Sequence, residues 1–175
     1  MIKRDRVLLV SSNSSKSTSL QATFLSSFHD KIRKRSEQLS GPQPYEFEAL
    51  ESAFIAVVSA LEEELDTIRE PVSRVLGDLD VGIDRFKLRL LLVLSEKVTS
   101  IKQRARLVRD AIDELFDNSE NLAAIHMATT TRNLLALRPE YTEADILIES
   151  YYVACNAIVE EAQTLATSIE ITQEL

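Results

Sequence analysis

Apolar residues recur at steps of three and four along most of this chain, and the rhythm is clearest over residues 45–79. There they stand at Leu50, Phe54, Val57, Leu61, Leu65, Ile68, Val72, Val75 and Leu79. Such spacing draws one seam down a long helix, and the extra four-residue step, from Leu61 to Leu65, is a local stutter in the heptad. Pro71 lies inside the seam and removes a backbone donor. Because the phase holds from Ile68 to Val72, the pattern predicts a continuous helix kinked at Pro71. The competing pattern stops at Arg69 or Glu70 and begins a new helix on Pro71.

A second seam follows at Leu91, Leu94, Val98, Ile101, Ala105, Val108, Ile112 and Leu115, in strict three-four alternation. It predicts a helix from an Asp84 cap to about Asn118, with Gly82 ending the helix before it. Two long seams joined by so short a connection predict an antiparallel helical hairpin. Upstream, Leu20, Phe24, Phe28 and Ile32 predict a helix that faces a core, with Thr18 as its N-cap and Gln21 completing a capping box. The basic group Lys31, Arg33, Lys34 and Arg35 suits the negative end of that helix dipole. Ser40-Gly41-Pro42-Gln43-Pro44 is the clearest break in the chain.

The run 6–10 reads as a buried strand. No second strand pattern accompanies it, so its partner is expected from chain upstream of Met1 or from another copy. Downstream, the pattern predicts a short helix over 120–127, a loop over 129–141, and a last helix opened by Thr142 with Asp145. The seam of that helix is Ile148, Tyr151, Cys155, Ile158, Ala162, Leu165 and Ile169. It meets no Gly, Pro or other stop before Leu175, from which the natural chain is expected to continue.

Composition agrees with few, long elements. Only 3 Gly and 4 Pro serve 175 residues, so few turns can be built. At 45% hydrophobic and 27% charged, the chain is too apolar for a disordered one. The net charge of -8 repels phosphate backbones and argues against nucleic-acid binding. Cys155 is the only cysteine, which excludes an intrachain disulfide and a cysteine-based zinc site. No apolar run approaches the ~20 residues of a membrane-spanning helix.

Little catalytic chemistry is in view. His29 and His126 have no metal-pair spacing. The segment 78–84 faintly resembles a calcium loop, but Arg89 stands where the bidentate Glu is needed. No glycine-rich phosphate loop and no nucleophile signature occurs. The acidic groups are more informative. Asp110, Asp113, Glu114 and Asp117 share one side of a predicted helix end, where they repel one another and the dipole. Two readings stand: a solvated face, or a site where a divalent cation relieves the repulsion. Magnesium suits the second, because it keeps most of its water and is held by one or two carboxylates. Glu62-Glu63-Glu64 with Asp66, and Glu160-Glu161, are weaker groups of the same kind.

Four blocks carry a family resemblance. They are Tyr45-Glu46-Phe47-Glu48-Ala49-Leu50-Glu51-Ser52; Asp84-Arg85 with Lys87-Leu88 and Leu91-Leu92; the acidic run from Arg109 to Asn118 with Leu122-Ala123; and Ile148-Glu149-Ser150-Tyr151-Tyr152 with Cys155. In order and spacing they resemble the soluble domain of CorA-type magnesium transporters, in the mitochondrial inner-membrane branch. The resemblance implies a fold that is mainly α. It comprises a residual α/β portion with one strand over 1–44, a long helical hairpin and short helix over 45–128, and the start of a stalk helix over 142–175. The family's earlier strands, its two membrane helices and its Gly-Met-Asn signature are not in this sequence, and Pro71 interrupts the long helix.

The resemblance further implies a regulatory, non-enzymatic domain on the matrix side of the mitochondrial inner membrane. The assembly would be a homo-oligomer of five copies, joined to the membrane through helices beyond this sequence. Weakly bound regulatory Mg2+ would bridge subunits through Asp110, Asp113, Glu114 and Asp117, with Glu51 and Glu170 as partners on adjoining helices. The alternative is a helical scaffold whose seams bind a partner helix and which has no ion role.

Overall fold

Four helices account for nearly all of what the computed structural model describes, namely residues 2–3, 6–7, 15–37, 45–81, 84–117 and 143–174. They are α1 (Ser15–Glu37), α2 (Tyr45–Val81), α3 (Arg85–Asp117) and α4 (Glu143–Glu174). Before them, β1 (Ile2–Lys3) pairs with β2 (Arg6–Val7) antiparallel, with Ile2 opposite Val7. The class is therefore mainly α. The strand expected over 6–10 is described only at Arg6 and Val7, and its partner is neither a segment before Met1 nor another copy but Ile2–Lys3 of this same chain, because antiparallel strands so close in sequence can pair directly. The ladder is two residues long on each side, too small to be stable alone.

Two boundaries differ from expectation or sharpen it. The first helix begins at Ser15, so Thr18 lies inside it and is not its N-cap. Once Leu20 and Phe24 have nucleated a helix, another turn of Ser and Lys is added at little cost, because propagation fixes one residue per hydrogen bond. Asp84, by contrast, does cap α3: its carboxylate accepts the backbone N–H of Phe86 at 3.3 Å, and its carbonyl accepts that of Leu88 at 3.0 Å. The second helix is continuous through Pro71. Gly82, the 120–127 helix, the 129–141 loop and the Thr142 cap lie outside the described residues.

The chain forms two compact units, and α2, α3 and α4 contribute to both. The first comprises Met1–Ser59 with Ile112–Tyr151. Its core takes Phe24 from α1, Phe47, Ala49, Phe54, Ala56 and Val58 from α2, Ile112 from α3 and Ile148 from α4. Burial on α2 here is not a single seam: the neighbours Phe47, Glu48 and Ala49 are all buried, while Leu50 and Val57 of the predicted seam are half-buried. Buried Ser52 turns its hydroxyl onto the Glu48 carbonyl at 2.7 Å, which satisfies it without leaving the helix. Phe24 stacks on Phe28, and Phe54 packs on Tyr151 with ring centroids 5.2 Å apart. Ile32, predicted to face the core, is exposed.

The second unit comprises Ala60–Ala111 with Tyr152–Leu175. Here burial follows the predicted seams. Leu61, Leu65, Ile68, Val72, Val75 and Leu79 of α2 are buried, as are Leu91, Leu94, Val98, Ile101 and Ala105 of α3, while Val108 of the α3 seam is half-buried. On α4, Cys155, Ile158, Ala162 and Ile169 are buried and Leu165 is half-buried, with Val159 and Ala166 widening the stripe.

Candidate functional site

The acidic residues singled out above are distributed along the helices. Asp110, in the second unit, is exposed and accepts two hydrogen bonds from its neighbour Arg109, through Nε at 3.0 Å and Nη2 at 2.8 Å. Arg109 also donates to the Asn156 amide oxygen of α4 at 3.3 Å, so the guanidinium holds Asp110 on one side and α4 on the other. Asp113 and Glu114, in the first unit, are exposed near the carboxyl end of α3. Asp117 is the last residue of that helix, and its side chain lies outside the described residues. Glu51 is half-buried and forms an ion pair with Lys31 of α1. Glu170 is exposed on α4. Among the described residues, no three Asp, Glu, His or Cys side chains converge closely enough to hold a metal ion.

Arginines occupy the other acidic groups. Arg69 bridges Asp66, one turn away on α2, and Glu161 on α4. Its hydrogen bond and charge contact with Glu161 hold it still more firmly protonated than usual. Arg104 of α3 forks onto both oxygens of Glu64 of α2, one branch at 3.1 Å, and the hydrogen bond to Glu64 raises its pKa despite partial burial. Arg106 donates to Gln163 of α4 at 3.3 Å. Glu64, Asp66 and Glu161 are thus partners in ion pairs, and the pairs with Arg104 and Arg69 tie helices of this unit together. Helical spacing could have flagged these arginines, since each flanks a seam. Apolar periodicity marks only the seams.

A groove of about 290 Å³ runs between α2 and α4 in the second unit. Glu62, Asp66, Arg69 and Glu161 line it over a floor of Leu65, Ala154, Ala157 and Ile158. With Arg69 bridging two of its three carboxylates, it offers a cation little unbalanced charge. Nearby Cys155 is fully buried. Burial first, and the Glu62 charge second, push its thiol from 9.0 to about 11, so it is an inert neutral thiol at physiological pH. Burial, with a smaller contribution from Glu51, also raises the Tyr151 hydroxyl. Among the described residues, neither group has a base or an acceptor arranged as a catalytic pair would need.

Comparison with known proteins identifies the chain's relatives. The family described as "Magnesium transporter MRS2-like" matches residues 1–175. The chain is 40% identical to the mitochondrial inner membrane magnesium transporter mrs2 of Aspergillus fumigatus over 175 residues, which is all of this chain and 29% of that protein. It is 35% identical to the mitochondrial inner membrane magnesium transporter LPE10 of Yarrowia lipolytica, covering 38% of it. It is 30% identical to the mitochondrial magnesium transporter MRS2 of Saccharomyces cerevisiae, covering 36% of it. The chain thus spans about a third of the length of the curated relatives it matches. No described helix is long and apolar enough to cross a membrane. The matched family is one of transporters and not of enzymes. A match along the entire chain, with relatives at this level of identity, means that the chain belongs to the MRS2-like magnesium transporter family.

Proposed function

We propose that this chain is part of the regulatory, matrix-facing portion of a mitochondrial inner-membrane magnesium transporter. The observation that carries the reading is the family match over every residue, with relatives named for that activity and that membrane. In this reading α2 and α3 form the antiparallel hairpin. Two contacts support it: Lys87 reaches the Asp78 carbonyl at 2.8 Å beside the connection, and Arg104 meets Glu64 farther from it on both helices. The helix α4 leads toward the membrane, and the working assembly is a ring of five copies.

Regulation works through charge. Asp113, Glu114 and Asp117 crowd the carboxyl end of α3, where the helix dipole adds negative potential. Asp110 is already engaged by Arg109 and contributes less. Glu51, paired with Lys31, contributes through that pair, and exposed Glu170 faces a neighbouring copy. Hydrated magnesium between copies relieves the repulsion and favours the closed arrangement. Its loss shifts the population toward the open one, by no more than the difference in affinity between the two states. Binding is weak, in the millimolar range expected of a sensor for an abundant ion.

A second reading is a helical scaffold with no ion role. One observation favours it: no three carboxylates converge among the described residues. A thermal-stability titration separates the two. Magnesium sensing predicts a shift in Tm at millimolar MgCl2 that NaCl of matched ionic strength does not reproduce, and that Asp113→Ala with Asp117→Ala abolishes. Equal shifts with both salts mean only general screening and support the scaffold.

A further inference from the structure

We infer that the first three turns of α3 form a contact surface for a bilayer of anionic phospholipid. The observation is a combination that a merely solvated helix does not need. Leu91 and Leu94 are buried, yet five other large apolar side chains on the same turns face outward: Phe86 at 73% exposure, with Leu88, Leu90, Leu92 and Val93. A helical rotation places Arg85 and Arg89, one turn apart, at the middle of the outward arc. Leu88 and Leu92 flank them on one side, and Phe86, Leu90 and Val93 on the other. Both arginines are exposed. Lys87 is turned back onto the end of α2, where it donates to the Asp78 carbonyl, so Arg85 and Arg89 carry the outward charge.

Charge complementarity selects the occupant. The chain carries a net charge of -8, yet between Arg85 and Ser95 it has three cations and no Asp or Glu. A cationic centre with apolar flanks matches a lipid interface, where phosphates lie at one depth and acyl chains just beneath. The repulsion from the rest of the acidic surface is screened beyond about 8 Å at physiological salt, so the patch acts locally. A second copy docked face to face is a poorer match, because a two-fold contact through this patch would bring Arg85 and Arg89 against their own equivalents, and a head-to-tail contact, as in a ring, is an outcome of the test. The inference rests on the reading that the chain lies beside a membrane, and not on magnesium binding. A failed magnesium titration leaves it standing, and a failed vesicle assay leaves the magnesium reading standing.

The test is co-sedimentation of the 175-residue chain with vesicles of phosphatidylcholine alone or of phosphatidylcholine mixed with cardiolipin, in EDTA. Binding is expected only to the cardiolipin vesicles and weakens with added salt. Arg85→Gln with Arg89→Gln lowers the partition coefficient roughly tenfold or more, and Phe86→Ser with Leu90→Ser abolishes binding. All four positions face solvent, and circular dichroism verifies that each variant keeps its helices. Equal partitioning into both vesicle types, or anionic binding that survives the arginine changes, overturns the proposal. So does absent vesicle binding together with self-association, seen by sedimentation equilibrium, that Phe86→Ser with Leu90→Ser removes. That result assigns the face to contact between copies.

Discussion

Buried Cys155 shows how far one residue's environment decides its chemistry. Its thiol stays protonated in the folded chain up to about 11, whereas the unfolded chain loses that proton near 9.0. A folded-state value raised in this way means that the stabilisation is complete below the unfolded value and is lost as pH rises through the folded one. Tyr151, also raised, acts in the same direction at higher pH. Urea unfolding at increasing alkalinity should therefore show stability falling above about pH 9, and Cys155→Ala should flatten part of that slope. The same burial should make Cys155 nearly unreactive to maleimide at neutral pH until urea is added. Packing sets a second contrast at this scale. Ile101 is fully buried in the α3 seam and Leu107 on the same helix is exposed. Ile101→Ala should cost about 2–5 kcal/mol in a denaturation experiment, and Leu107→Ala within about 0.5 kcal/mol of nothing.

At the scale of the element, α2 pays for carrying Pro71. The continuous helix leaves the Thr67 carbonyl, four residues earlier, without its usual N–H donor. Pro71→Ala restores that donor and should raise the urea midpoint, by an amount corresponding to about 1–3 kcal/mol. Asp84→Ala should do the opposite at the start of α3, removing the cap on the Phe86 N–H at a cost of about 1 kcal/mol. Seam periodicity fixed the existence of α2, α3 and α4 well. The phase carried through Pro71 because Ile68, Val72 and Val75 all stay buried there. It did less well at α1, where the polar first turn carries no periodic signal and Ile32 is exposed although in phase. Periodicity names the face a helix would bury; it does not say how far along the helix a neighbour reaches.

Across the whole molecule, two kinds of core share three helices. The Glu64–Arg104 and Asp66–Arg69–Glu161 pairs lie at the margins of the second unit's core, partly or largely exposed, so each contributes little by itself. A double-mutant cycle on Glu64→Gln and Arg104→Gln should give a coupling of about 0.2–1 kcal/mol that shrinks in high salt. Single-seam burial of α2 from Leu61 to Leu79 and of α3 from Leu91 to Ala105 follows from three-four spacing and was legible in the sequence. The many-sided burial of α2 around Phe47, Ala49, Phe54 and Ala56 was not, because small residues such as Ala49 carry no amphipathic signal until neighbours close around them. The candidate cation site was legible only as a set of acids on one helix. What the tertiary structure added is which acids are already spoken for across helices, Glu51 by Lys31 and Glu64 by Arg104, while Asp110 is held by its sequence neighbour Arg109. By itself, then, the sequence determined α2, α3 and α4, the seams they bury in the second unit, the Asp84 cap and the family, since these depend on local spacing and residue order. The tertiary structure alone decided the division into two units, the cross-helix arginine partners and the outward apolar face of α3. Those depend on which surfaces meet, and a pairing between residues forty or ninety positions apart leaves no trace in local periodicity.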